Sequence, residues 1–386
     1  MAILLLMGWG SKGSAENSSG RKTPSADEGV RRIEVVVQTD TFRLPATLTL
    51  PSPLATIAFA KAQKSAKTTS GAGSEKGMSA SGIVSEEGVS ALGIVSERGV
   101  SSRGNEFVKL PCVVMVHGSG PNDRDETVGP NKLFRDLADS LAAYGIASLR
   151  YEKRTRVYGA ASLPAGRVLD YDVEVVDDAC SALALAAAHE EIDPSQIYLL
   201  GHSLGALLAP RIAERYPSVA GAMMLAPPAR KLPELMLGQG LYLKQLYGKM
   251  VGLPPMMMQQ LENLVEQSRN ALRWGTPQYD ETIGLPKGLT PSYIEADRAY
   301  QPVVTACRIA TPLLLIQGER DYQVTLVDYA QWCTGLMMRK NVTFRCYPKL
   351  NHLMREGEGM GTPMEYATAS PLPSYVVQDI IAFVRK

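Results

Sequence analysis

The sequence predicts an α/β fold: a mostly parallel sheet covered by helices on both faces. Three observations carry that expectation. From residue 111 onward, short apolar runs alternate with segments of helical apolar spacing. The runs, such as "PCVVMVH" at 111–117 and "PLLLIQ" at 312–317, are apolar nearly to their ends, as strands buried on both faces are. The 386 residues are 45% hydrophobic, enough for one large domain or two ordinary ones with a sizeable core.

Taken in order, residues 1–30 read as a flexible tail. Residues 33–50, "IEVVVQTDTFRLPATLTL", alternate and are rich in Val and Thr, with a polar break at Thr39–Asp40, the signature of a β-hairpin. At about 62–105 Gly and Ser dominate. "GSEKGMSA", "VSEEGVSA" and "VSERGVSS" place Ser74, Ser85 and Ser96 in equivalent positions at a period of 11 residues. Copies this short carry too few apolar residues to stack into a core, so the segment reads as a duplicated, flexible surface insertion. Strands are expected at 112–117, 146–151, 197–201, 221–226, 312–317 and 342–347. Helices are expected at 131–143, 171–187, 204–215, 324–337 and 372–384, the second opening on an aspartate start signal in "DYDVEVVDDACSALALAAA". The connection of about eighty residues between the strands ending near Ala226 and starting at Pro312 is too long to be structureless. It contains "MMMQQLENLVEQSRNALRW", where Met257, Leu261, Leu264, Val265 and Leu272 share a helical face. Residues 231–307 are therefore expected to form a helical cap on a main α/β domain of 31–230 and 308–386. The cap methionines read as core filler, with contact to a ligand left open.

Composition excludes several classes. With 40 basic and 39 acidic side chains the net charge is +1, which provides no field for nucleic acid or an anionic membrane. No GxxxxGK[ST] loop, HExxH or CxxC occurs, so neither a phosphate loop nor a metal site is expected. The five cysteines, Cys112, Cys180, Cys307, Cys333 and Cys346, are odd in number and widely spaced, and read as buried thiols in a reducing compartment. The apolar start "MAILLLMGWG" lacks a basic flank and is short for a secretory signal. No run approaches the roughly 20 apolar residues of a membrane span. The expectation is a cytoplasmic protein, the alternative an atypical or clipped export signal; a homodimer is left open.

The chemistry concentrates at Gly201-His202-Ser203-Leu204-Gly205. This GxSxG follows the apolar "QIYLL" and precedes the helical "ALLAPRIAERY", the strand–turn–helix setting of a nucleophile elbow. The turn is tight enough that side chains beside the serine would strike neighbouring backbone. A serine hydroxyl needs a base, and the chain has only 4 histidines. His202 lies inside the elbow, His189 precedes the strand leading to it, and His117, followed by "GSGP", suits a loop role. His352, after the strand at 342–347, emerges at the same carboxyl-end rim as Ser203 and is the expected base. Asp321, in the loop after "LLLIQGER", is the expected acid; Glu319 hugs the strand end and Asp328 falls in the next helix. The order Ser, Asp, His is that of the α/β-hydrolase architecture. The oxyanion donors are expected from the N–H of Leu204 and, in "HGSGPNDRDET", from Ser119, with Gly118 as runner-up. The run Asp123-Arg124-Asp125 reads as a loop brace.

"HGSGPNDRDET", "SLRYEKR", "GHSLG", "GERDYQVT" and "YPKLNHLM" together resemble the EstD-type bacterial carboxylesterases of the α/β-hydrolase superfamily, relatives of the dienelactone hydrolase and serine aminopeptidase-like branches. The resemblance covers roughly residues 31–53 and 107–386. It implies a Ser–Asp–His serine esterase with a helical cap, acting on short-chain acyl esters of small molecules and needing no cofactor; by motif, Ser203 matches the nucleophile, Asp321 the acid and His352 the base. The insertion at 62–105 departs from the family pattern, and the chain is expected to have no room for the separate N-terminal module of some relatives. A thioesterase, acyltransferase or small-peptide hydrolase would use the same machinery. A non-catalytic scaffold binding a small ligand under the cap is the alternative from a different class.

Overall fold

Eight strands form a single sheet in the computed structural model, which describes residues 30–58, 108–250 and 254–386. The readings of the N-terminal tail and of the repeats at 62–105 fall outside the described residues. The strands are β1 (Val30–Gln38), β2 (Arg43–Pro51), β3 (Leu110–Val116), β4 (Ala147–Tyr151), β5 (Ile192–His202), β6 (Gly221–Leu225), β7 (Leu313–Gly318) and β8 (Val342–Tyr347). Their spatial order is β1-β2-β4-β3-β5-β6-β7-β8. β1 and β2 form the expected hairpin, paired from Val30 with Pro51 to Gln38 with Arg43. β2 runs antiparallel to β4, and every later pairing is parallel. This is the mostly parallel α/β-hydrolase sheet with an antiparallel hairpin at one edge.

Besides short helical stretches such as Arg154–Tyr158, the helices among the described residues are α1 (Leu133–Ala142), α2 (Asp177–Ala188), α3 (Leu204–Arg215), α4 (Leu232–Tyr247), α5 (Pro255–Ala271), α6 (Pro291–Ala299), α7 (Pro302–Arg308), α8 (Leu326–Leu336) and α9 (Ser374–Val384). Along the apolar runs of the central strands alternate residues serve opposite cores, because side chains change face at every step. Val113, Met115, Leu200 and Met223 pack with α1 and α9. Val114, Val116, Leu199 and Met224 pack with α2 and α3. Helices α4 to α7 occupy the long connection between β6 and β7. Its apolar cluster joins Met236, Leu243, Leu261 and Leu264 to Tyr322 and Leu353, the neighbours of Asp321 and His352.

Several boundaries differ from expectation for local reasons. The helix expected from 131 begins at Leu133, because Asn131–Lys132 pair with Thr127–Val128 in a two-residue ladder. The helix expected from 171 opens with a π-helical turn, Asp172–Val176, that buries Val173, Glu174, Val175 and Val176 in succession. The strand expected at 197–201 reaches back to Ile192, with a register shift between Leu110 and Cys112 on its partner. On α5, Leu261, Leu264 and Val265 are buried together with Ser268 and Ala271. Leu272, expected on that face, flanks the helix end and is 44% exposed, and Met257 is half-buried. All five cysteines are free thiols, but only Cys112 is fully buried; Cys307 is exposed, contrary to the buried-thiol reading. Among the described residues no helix is long and apolar enough to cross a membrane.

Trp332 of α8 is fully buried and its indole N–H donates to the carbonyls of Pro227 at 3.0 Å and Pro228 at 3.2 Å, tying the helix to the chain leaving β6. Trp332→Ala is expected to lower stability by about 3–5 kcal/mol, read as a shift of the urea unfolding midpoint.

Candidate active site

β5 ends at His202 and α3 begins at Leu204, so Ser203 alone makes the turn. It does so at φ 53°, ψ −114°, a left-handed conformation that a non-glycine residue adopts only under constraint. The constraint is backbone: Ser203 N–H donates to the Leu225 carbonyl at 3.0 Å, and its own carbonyl accepts from Leu207 N–H at 2.9 Å. Both glycines of the motif are required. A Cβ on Gly201 would stand 2.2 Å from the Gly205 carbonyl oxygen, and one on Gly205 2.1 Å from that of Val116. The helix start thus sits directly on the ends of β3 and β5.

Asp321 lies in the loop after β7 and His352 in the loop after β8. His352 Nδ1 and Asp321 Oδ2 are 2.7 Å apart. The other oxygen of Asp321 accepts from the N–H groups of Gln323 at 2.8 Å and Val324 at 2.9 Å, so the buried carboxylate is fixed at both ends. A carboxylate only accepts, so Nδ1 carries the ring proton and Nε2 presents its lone pair. Nε2 makes no hydrogen bond among the described residues, and Ser203 Oγ is not bonded to it. The structure therefore couples Asp321 to His352 and brings both to the rim beside the elbow without closing a serine–histidine bond. Burial pushes the His352 imidazole below the usual range; Asp321 opposes this without reversing it, and neighbouring His202 pushes it further down.

The rival residues are committed elsewhere. Glu319 is exposed. The Asp328 carboxylate is held by Arg230 at 2.7 Å and accepts from the N–H groups of Ala229 and Arg230, both at 3.0 Å. His117 lies just past the end of β3, in the loop as expected, and is buried there against Phe134 and Tyr151; burial pushes its imidazole down to about 4. His202 points beneath the site: Nδ1 lies 3.0 Å from Glu126 Oε1 and Nε2 lies 2.9 Å from the His352 carbonyl oxygen. Both partners are acceptors, so the doubly protonated ring satisfies both. Burial alone would depress its pKa; Glu126 outweighs this and raises it.

Ser119, Ser203 and Leu204 open into a cavity of about 370 Å³ whose opposite wall includes Leu232, Leu235 and Met236 of α4. Met236 therefore reaches the cavity, whereas Met256, Met257 and Met258 do not line it. The Asp123-Arg124-Asp125 run braces the loop: Arg124 bonds Glu152 at 2.8 Å and Glu34 at 2.5 Å, Asp125 pairs with Arg150, and Asp123 accepts from Thr127 N–H at 2.9 Å. Sequence reading missed the residues just beyond. Glu126, at φ 51°, accepts the Gly118 N–H at 2.7 Å. Lys153 Nζ donates to the Gly118 carbonyl at 3.0 Å, as does Asn122 Nδ2, and Lys153 pairs with Glu174 at 2.7 Å. The only signal for Glu126 and Asn122 was their place in "HGSGPNDRDET"; nothing in "SLRYEKR" marks Lys153 as buried.

A family model described as serine aminopeptidase, S33, matches residues 112–358. The chain belongs to this family. Esterase EstD of Thermotoga maritima is 41% identical over 277 residues, 72% of this chain and 62% of that relative. The match therefore spans less than two thirds of the relative's length. A solved esterase structure from Pyrococcus furiosus covers 95% of each chain at 14% identity and a TM-score of 0.50, a likeness of fold alone.

Gly205→Ala is expected to cost about 3 kcal/mol or more, at or beyond the upper end of ordinary overpacking, because the added methyl meets backbone rather than a movable side chain. Thermal unfolding of the purified variant against the parent measures it.

Proposed function

We propose that the protein is a serine carboxylesterase acting on short- to medium-chain acyl esters. The observation that carries this reading is the Asp321–His352 hydrogen bond at 2.7 Å on the same rim as a serine held at positive φ over a cavity. The identity to an esterase supports it. Ser203 Oγ attacks the ester carbonyl carbon while His352 Nε2 takes its proton, and Asp321 stabilises the imidazolium through Nδ1–H. The N–H groups of Leu204 and Ser119, which line the cavity with Ser203, take the oxyanion. Gly118, the other candidate donor, already gives its N–H to Glu126. The intermediate collapses, His352 protonates the departing alcohol, and the acyl group stays on Ser203. Water, deprotonated by the same imidazole, then releases the acid and regenerates the serine. The cavity's volume, about 370 Å³, lies at the small end of ligand sites, which favours short to medium acyl chains.

A small-peptide hydrolase is the second reading, favoured by the family description and by Glu174, a buried carboxylate in the cavity wall that could face an amine. The ester reading is preferred because Glu174 is already committed to Lys153 and to the Tyr293 hydroxyl. The five free thiols support residence in a reducing compartment such as the cytoplasm.

Ser203→Ala is expected to lower turnover of p-nitrophenyl butyrate by about 10⁴–10⁶-fold and to abolish labelling by a fluorophosphonate; an active, folded variant rejects the assignment. His352 works as a base only when neutral, and its pKa is depressed by burial. Activity is therefore expected to persist as pH falls through the ordinary imidazole value of about 6.5, with the acid limb of kcat/KM below it. A limb at or above that value contradicts the depressed base.

A further inference from the structure

One buried cation has no part in the proposed reaction. Lys153 is only 2% exposed, a rare state for a lysine, and stands beyond the end of β4. Its ammonium donates to the Gly118 carbonyl oxygen at 3.0 Å and pairs with Glu174 Oε1 at 2.7 Å. Glu174 is fixed in turn by the Tyr293 hydroxyl, which donates to Oε2 at 2.5 Å from cap helix α6, and the π-helical turn delivers the carboxylate to this depth. The same Gly118 carbonyl accepts from Asn122 Nδ2 at 3.0 Å. The preceding peptide is pinned as well, since Gly118 N–H donates to Glu126.

The Gly118 carbonyl and the Ser119 N–H are two ends of one peptide group. From this we infer that Lys153 is a positioning residue of the oxyanion hole, resting on the reading of Ser119 N–H as an oxyanion donor. The ammonium and Asn122 fix the plane of the Gly118–Ser119 peptide. By drawing electron density toward the carbonyl oxygen, the cation also makes the N–H at the opposite end a stronger donor, as hydrogen bonds in series polarise one another. The effect grows as negative charge develops on the substrate oxygen one peptide unit away. It therefore acts on the transition state and raises kcat rather than tightening substrate binding. Glu174 supplies the counter-charge that burying an ammonium requires and aims the group at a single carbonyl. Tyr293 links that aim to the cap.

The test uses the full chain with Lys153→Met, which keeps the stem and removes the charge, and with Lys153→Met/Glu174→Gln, which also removes the carboxylate left unpaired. Readouts are kcat and KM for p-nitrophenyl butyrate, and inhibition by butylboronic acid, which mimics the tetrahedral anion, against inhibition by neutral butyramide. Both variants are expected to lose about 10- to 100-fold in kcat, up to the lower end of what deleting a whole oxyanion donor costs. KM and butyramide affinity should stay within about twofold, and boronate affinity should fall in step with kcat. A double variant with unchanged thermal stability that keeps kcat within about twofold of the parent overturns the inference. So does a loss shared equally by butyramide, the mark of general disruption. Fluorophosphonate labelling separates the two levels. An unlabelled, inactive parent overturns the esterase reading and this inference together, whereas a labelled, active parent matched by both variants overturns this inference alone.

Discussion

The structure depends on one close approach of backbone to backbone. Gly205 passes so near the Val116 carbonyl, and Gly201 so near that of Gly205, that no side chain fits at either place. This contact lets α3 start directly on the ends of β3 and β5, and it forces Ser203 into a left-handed conformation. The strain is held by ladder bonds on both sides, to Leu225 and from Leu207. Parallel register then does the rest. Val116 lies beside Gly201, His202 beside Leu225, and Gly318 beside Tyr347, so the strands end in step and their loops emerge at one rim.

Beneath that rim lies a layer of buried charge. His202 bridges Glu126 to the His352 carbonyl, Glu126 holds the Gly118 N–H, and Lys153 with Glu174 holds the Gly118 carbonyl. Buried ion pairs give little net stability, since desolvation offsets most of their attraction, while breaking one typically costs about 3–5 kcal/mol. Their value here is geometric. They connect the loop carrying Ser119 to the loop carrying His352 with short, directional bonds that a packed apolar layer would lack. The helical connection between β6 and β7 joins the same system through Tyr293 and through the cluster around Tyr322 and Leu353.

Much of this was legible along the chain because it is local. The hairpin at 33–50 showed as alternation, the central strands as apolar runs, and the elbow as two glycines around a serine between strand and helix. Asp321 and His352 could be reached because chain order and the carboxyl-end rule are topological statements, and the structure joins those two by a hydrogen bond. The π-helical turn at 172–176 was not legible, because an apolar run with helical spacing looks the same with one residue more in its first turn. The full length of β5 was hidden because its first half, Ile192–Gln196, is mostly polar and extends no apolar run. The outward turn at Leu272 was hidden because periodicity does not record where a helix ends.

By itself the sequence determined the layered α/β architecture, the sharp turn at Ser203 and the rim to which Asp321 and His352 belong. These follow from side-chain periodicity, glycine sterics and strand order, all properties of neighbours in the chain. Only the tertiary structure decided that Glu126, His202, Lys153 and Glu174 are buried and paired beneath the site, that Gly118 N–H is already engaged, and that His117 is a packed core residue. The reason is that a charged side chain carries no mark of its partner in its own segment: Lys153 meets Gly118 and Glu174 only when three separated stretches of chain converge, and its burial is favourable only after they do.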